Sequence, residues 1–181
     1  MRNALLGFAL LFTSGAFSQI PSYDIYMAPL IKGDALGYRI GPILNISKHP
    51  GYDNQPSFSP DGKWIYFSSI RDSVQTDIYA ANTSNWLIKQ ITNTPESEYS
   101  PEFFSDGKTF STVRVEMDST QRMWQFNADG SAAKVMMPDI DSMGYYCRIN
   151  NDFYVFFMVT EPSTLVLVDV KNNTIDRKSV V

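Results

Sequence analysis

Asn54-Gln55-Pro56-Ser57-Phe58-Ser59-Pro60-Asp61-Gly62-Lys63 returns later in the chain as Tyr99-Ser100-Pro101-Glu102-Phe103-Phe104-Ser105-Asp106-Gly107-Lys108. Pro56 and Pro101, Phe58 and Phe103, Asp61 and Asp106, and Gly62 and Gly107 all stand at one offset of 45. The flanks keep it, since Asn45-Ile46-Ser47 aligns with Gln90-Ile91-Thr92 and Pro50 with Pro95. A repeat of roughly 40–45 residues, made of short strands between turns, predicts a radially repeated sheet, a β-propeller. The fold class expected is therefore all-β, with four-stranded antiparallel blades.

In the first full copy, strands a to d are read over 55–59, 63–70, 77–82 and 86–92. Pro60 presets the φ of a turn, Asp61 bonds its own downstream backbone and Gly62 accepts positive φ. The second copy has Ser105 in place of Pro60, so Asp61-Gly62 and Asp106-Gly107 are the structural core of the turns. The second copy runs over 100–104, 108–115, 121–127 and 132–136. A weaker third copy covers 145–149, 153–159, 164–170 and 174–180, with Asn150-Asn151-Asp152 as its first turn. The unbroken apolar run from Phe153 to Val159 suits a strand covered on both faces. Before the first copy, Tyr23-Asp24-Ile25-Tyr26 and Pro42 to Ser47 echo strands c and d. The expected organisation is a signal peptide over 1–18, a half-blade over 19–47, and blades over 48–92, 93–137 and 138–181.

The apolar content of 44% is enough for a core, and the 14% of aromatic residues favours strands. A net charge of −4 without any Lys/Arg run argues against a nucleic-acid partner. One cysteine, Cys147, excludes an intramolecular disulfide and a cysteine-based zinc site. At the N-terminus Arg2, the apolar stretch Ala4 to Phe12 and Ala16-Phe17-Ser18 read as a cleavable signal with cleavage after Ser18. The expected location is the periplasm or the medium, with no transmembrane segment after cleavage.

Pro56 to Asp72, with Asp77-Ile78-Tyr79 and Leu87 to Thr92, resembles the WD-like repeat of TolB-type β-propellers. The resemblance is strong across 45–110, fair to about 137 and weaker beyond. It implies a six-bladed ring of which about half is present, as a stand-alone exported propeller. The same repeat occurs in propellers attached to serine peptidases. Half a blade plus three blades falls short of the smallest rings, of about four blades. Three arrangements answer that shortfall: sequence continuing past Val181, completion by another chain, or a small curved array. The lack of polar capping on the third copy favours the first.

Blade geometry puts the d–a and b–c loops on one face and the tight a–b and c–d turns on the other. The varied loops of the first face are the expected binding surface. The residues singled out there are His49, Tyr52, Asp53, Asn54, Arg71, Glu98, Tyr99 and Tyr145. Asp53 and Glu98, one repeat apart, are expected to line the channel mouth, and Arg71 to pair with Asp77. Tyr52, Tyr99, Tyr145 and Tyr146 suggest an aromatic rim for a peptide or sugar, with core packing the alternative. No nucleophile elbow, zinc motif or phosphate loop occurs, and His49 is the one histidine available to any triad. No catalytic residue, metal or cofactor is therefore assigned. The leading expectation is a non-catalytic scaffold binding a protein, peptide or envelope component. The alternative is a propeller sensor or enzyme holding a small molecule or metal in its channel.

Overall fold

A computed structural model describes residues 22–33, 37–71, 75–172 and 174–179; the expected signal peptide lies outside them. All the described regular structure is β. Three four-stranded antiparallel sheets follow one another. The first has β5 (Tyr52–Phe58), β6 (Trp64–Ile70), β7 (Asp77–Asn82) and β8 (Ile88–Gln90) in chain order. The second has β9 (Ser97–Phe103), β10 (Thr109–Val115), β11 (Gln121–Asn127) and β12 (Lys134–Val135). The third has β13 (Met143–Arg148), β14 (Phe153–Met158), β15 (Thr164–Asp169) and β16 (Thr174–Ser179). These are propeller blades, and among the described residues they do not close a ring.

Ahead of them β1 (Tyr26–Met27) pairs with β4 (Leu44–Asn45). Between these two, β2 (Leu30–Lys32) and β3 (Tyr38–Ile40) form a separate hairpin that the repeat did not foretell. Tyr23 bridges Tyr52 in parallel, so the leading segment is tied to the edge of the first sheet.

The sheets stack through three apolar clusters. Ile65 and Phe67 face Ile25 and Ile46, while Tyr66, Ile78 and Ala80 face Phe103, Phe110 and Phe126. Val113 and Met123 meet Tyr154, Phe156, Val166 and Val168. The alternation of β6 thus fills two interfaces at once, and its residues Ile65 to Ser69 are all buried. Each such aromatic or aliphatic side chain contributes about 1.5–3 kcal/mol.

The turns behave as their chemistry dictates. Asp61 Oδ1 accepts from Ser59 Oγ at 2.7 Å and Lys63 N–H at 3.1 Å, and Gly62 has φ +69°. Asp106 Oδ1 accepts from Lys108 N–H at 2.8 Å, and Gly107 has φ +65°. In the third sheet Asn150 Oδ1 takes the same role, accepting from Asp152 and Phe153 N–H. Gly130 is needed for a second reason: a Cβ there would stand 1.9 Å from the Ile91 carbonyl oxygen, where one sheet's c–d turn presses on its neighbour.

Strand a departs from expectation in both good copies. β5 starts at Tyr52 and β9 at Ser97, three residues before the expected starts at Gln55 and Ser100. The register slips between Asn54 and Ser57, and Gln55 and Ser100, one repeat apart, have φ +55° and +53°. The strand passes through a β-bulge just ahead of a proline that cannot donate to the ladder. Residues expected in loops are consequently paired strand residues.

Candidate functional site

That extension relocates most of the expected site. Asp53 lies opposite Ser69, and Glu98 opposite Arg114, at the same register position of two consecutive sheets. Asp53 is 1% exposed and accepts from Ser69 Oγ at 2.6 Å. Arg71 Nη2 stands 3.5 Å from the same carboxylate, so Arg71 pairs with Asp53 and not with Asp77. The Arg71 guanidinium also bonds Ser69 Oγ and the Ser47 carbonyl, and lies 5.0 Å from the Tyr79 ring centroid.

Glu98 is 0% exposed. Its carboxylate accepts from Thr94 Oγ1 at 2.7 Å, Thr92 Oγ1 at 3.0 Å and Arg114 Nε at 3.0 Å, and its N–H donates to the Thr76 carbonyl. Burial pushes its pKa up to about 7, against the opposing pull of Thr94 and Arg114. Burial also raises Asp77, whose carboxylate takes bonds from Gln90 and Thr94 N–H. Asp53 and Glu98 do not line a channel: they are internal ties, Asp53 joining β5 to β6 and Glu98 joining the first sheet to the second. Sequence alone could not show this, because a carboxylate one repeat from another looks alike in a loop and in a bulged strand.

The tyrosines divide. Tyr52, Tyr99 and Tyr145, one from each sheet, open onto one cavity of about 350 Å³ at the loop face. Gln55, Gln121, Val113, Val115, Gly144 and Val159 complete its wall. Tyr23 stands edge-on to Tyr52 at 6.1 Å, and burial raises the Tyr52 hydroxyl. Tyr146 departs from the expected rim. It is turned inward, and its hydroxyl donates to the Ser100 carbonyl at 2.8 Å and meets Ser111 Oγ at 2.9 Å. Asn54 is exposed and its side-chain carbonyl accepts from Gln55 N–H. His49 is half-buried beside Gly51, with Nδ1 shut from solvent. His49 does not line the tyrosine cavity, and Asn54 meets it only through a side-chain hydrogen bond with Tyr52.

Gln55 is the residue that sequence reading missed. Its Oε1 accepts from Ser68 Oγ and from Ser100 N–H, both at 2.9 Å, fastening two sheets beside the mouth. Its one signal was position: it precedes the repeated proline, where a bulge falls. Among the described residues no cluster of three or more His, Cys, Asp or Glu is placed to hold a metal ion. No described helix is long and apolar enough to cross a membrane.

No family model matches the chain. A candidate tricorn-like protease C-terminal subunit of Sulfurisphaera tokodaii is 29% identical over 128 residues, which is 67% of this chain and 14% of that protein. A candidate TolB from Agrobacterium tumefaciens superposes with a TM-score of 0.64 at 18% identity, over 84% of this chain and 60% of that one. TolB from Acinetobacter baumannii superposes with a TM-score of 0.61 at 16% identity, over 86% of this chain and 37% of that one. The chain thus spans less than two thirds of each of these proteins. With its repeated sheets and tight Asp-Gly turns, it has the TolB-like β-propeller fold.

Proposed function

We propose that this protein is an exported binding module that holds a peptide or protein segment at its loop-face mouth, without catalysis. The observation that carries this reading is the convergence of Tyr52, Tyr99 and Tyr145, from three sheets, on one cavity. A tyrosine offers a flat apolar body and a polar tip at low conformational cost, which suits an extended segment. The nearby carboxylates of Asp53 and Glu98 are buried within the sheets, and among the described residues no acid–base pair lines the mouth. The fold likeness to TolB supports an envelope-associated scaffold. A second reading takes its support from the tricorn-like relative: the same mouth would present peptides to a peptidase.

The test is selection of 12-residue peptides from a phage library on the purified chain. Binders should lose at least tenfold in affinity on Tyr99→Ala and Tyr145→Ala, with the thermal midpoint of the protein little changed. Binders indifferent to both substitutions would overturn the site. Cleavage of the selected peptides by the chain alone would overturn the non-catalytic part.

A further inference from the structure

The mouth that Tyr52, Tyr99 and Tyr145 share is uncharged: no Asp, Glu, Lys, Arg or His stands in its wall. Val113, Val115 and Val159 give it apolar surface between the rings. Its polar groups are skewed towards donation. Gln55 Oε1 is taken by Ser100 N–H and Ser68 Oγ, both at 2.9 Å, and a backbone N–H can only donate. That fixes which end of the amide is which, and leaves the Gln55 amino group, with two protons, for whatever enters. Asn54 is oriented in the same way, because its Oδ1 accepts from Gln55 N–H at 2.8 Å. Its amino end is what meets the Tyr52 hydroxyl, so that hydroxyl accepts there and keeps its own proton for the mouth.

The backbone around the mouth disfavours one way of holding an extended chain. β5, β9 and β13 are edge strands of their sheets, and a peptide can add to an edge as a further strand. All three break register beside the mouth: between Asn54 and Ser57, between Tyr99 and Glu102, and between Met143 and Tyr145. Pro56 and Pro101 follow two of these breaks and lack the N–H that a ladder needs. Tyr23 already occupies the edge of β5, its N–H donating to the Gly51 carbonyl and its carbonyl accepting from Asp53 N–H. A neighbouring cavity of about 260 Å³ shares Gln55 with the mouth and has both prolines in its wall. The one charged residue there, Glu102, stands 3.7 Å from Arg148. An entering segment is thus met by donating side chains and not by a continuous strand edge.

We propose that the mouth binds a proline-rich segment in the polyproline II conformation, its rings packed against Tyr52, Tyr99 and Tyr145 and its carbonyls accepting from Gln55 and the tyrosine hydroxyls. This rests on the reading of the mouth as a peptide site and names the class of peptide. A polyproline II segment makes no internal hydrogen bonds, so its carbonyls are open, and its prolines bring no N–H that needs an acceptor. It arrives already extended, so little conformational freedom is lost on the flat rings. An oligosaccharide fits less well, since each of its hydroxyls brings a proton to place while the Gln55 carbonyl is taken.

The experiment titrates the whole chain, by calorimetry, with acetyl-octaproline-amide, its counterpart with alternate prolines replaced by alanine, an octamer of alternating glycine and serine, and chitotetraose. Octaproline should bind saturably, with an affinity nearly independent of salt because no charge lines the mouth. The alanine counterpart should bind several-fold more weakly, and the glycine–serine octamer should not saturate. Gln55→Glu keeps an acceptor for Ser68 and Ser100 but has no amide proton to give. It should cost about fivefold in octaproline affinity at a little-changed thermal midpoint. No saturable octaproline binding, equal binding of the glycine–serine octamer, or binding of chitotetraose in its place would overturn the proposal, and none of these readings needs a variant to fold. Library-selected binders that depend on Tyr99 and Tyr145 but carry no proline would overturn it while leaving the mouth a peptide site. Octaproline binding indifferent to both tyrosines would overturn the mouth itself as the site.

Discussion

Glu98 is a carboxylate without contact with water, placed where two sheets meet and facing Asp77, Glu96 and Arg114. Its pKa rises from an ordinary 4.5 to about 7 because burial penalises the charged form more than Thr94 and Arg114 favour it. The folded protein therefore holds this proton more tightly than the unfolded chain does. Stability from this group is full below about pH 4.5 and declines as pH rises towards about 7, by on the order of 2–3 kcal/mol. Asp77, also raised by burial, adds a slope of the same sign. Denaturant unfolding from pH 4.5 to 8 should show that decline, and Glu98→Gln should flatten most of it while Glu96 still pairs with Arg114 at 2.8 Å. A variant slope as steep as that of the parent would remove Glu98 as its source.

The elements are fastened to one another by groups that reach across the gaps. Arg148 is the plainest, spanning from β13 to two carbonyls of β9. Arg148→Met keeps the apolar stem but leaves those carbonyls unmet, and should cost about 2–3 kcal/mol in denaturant unfolding. Arg148→Lys should recover little, since one ammonium cannot reproduce the planar fork over the Phe104 ring. A loss below about 0.5 kcal/mol would mean that the clamp is ornamental. At this scale the sequence was legible wherever turn chemistry brackets a strand. β7 and β11 begin and end at Asp77–Asn82 and Gln121–Asn127, as read. It misled where a bulge let a strand run through a proline, because alternation breaks at Gln55 and Ser100 and the residues before them then look like loop. That single error moved Asp53 and Glu98 from an imagined channel into the sheets. The β2–β3 hairpin was illegible for another reason, being an insertion that follows no repeat. Of the site, the tyrosines were readable as a set. Which of them turn inward depends on β13 register, and Tyr146 does so one residue after Tyr145 because strand neighbours point to opposite faces.

At the scale of the whole molecule, each sheet interface repeats until the third sheet, whose far face meets nothing among the described residues. Cys147, Val155 and Leu167 stand opposite one another in register, as do Tyr145, Phe157 and Leu165. Alternation puts both rows on the face away from Tyr154, Phe156, Val166 and Val168, which fill the core. Leu165 and Leu167 are 39% and 38% exposed, and the Tyr145 ring lies 6.3 Å from Phe157. A contiguous apolar face of this kind associates in water. The 181-residue chain should therefore bind the dye ANS and sediment with a weight that rises with concentration. Leu165→Lys with Leu167→Glu should suppress both, and at little cost in thermal midpoint because neither side chain belongs to a core cluster. Unchanged sedimentation and dye binding would show that another surface drives association. Tyr145 makes the outcome bear on function, since it belongs to this face and to the loop-face mouth at once. Whatever covers the face therefore also borders the mouth. Peptide affinity at the mouth should accordingly differ between the associated and dispersed forms of the chain, measured by titrating a selected peptide at protein concentrations on either side of the association midpoint.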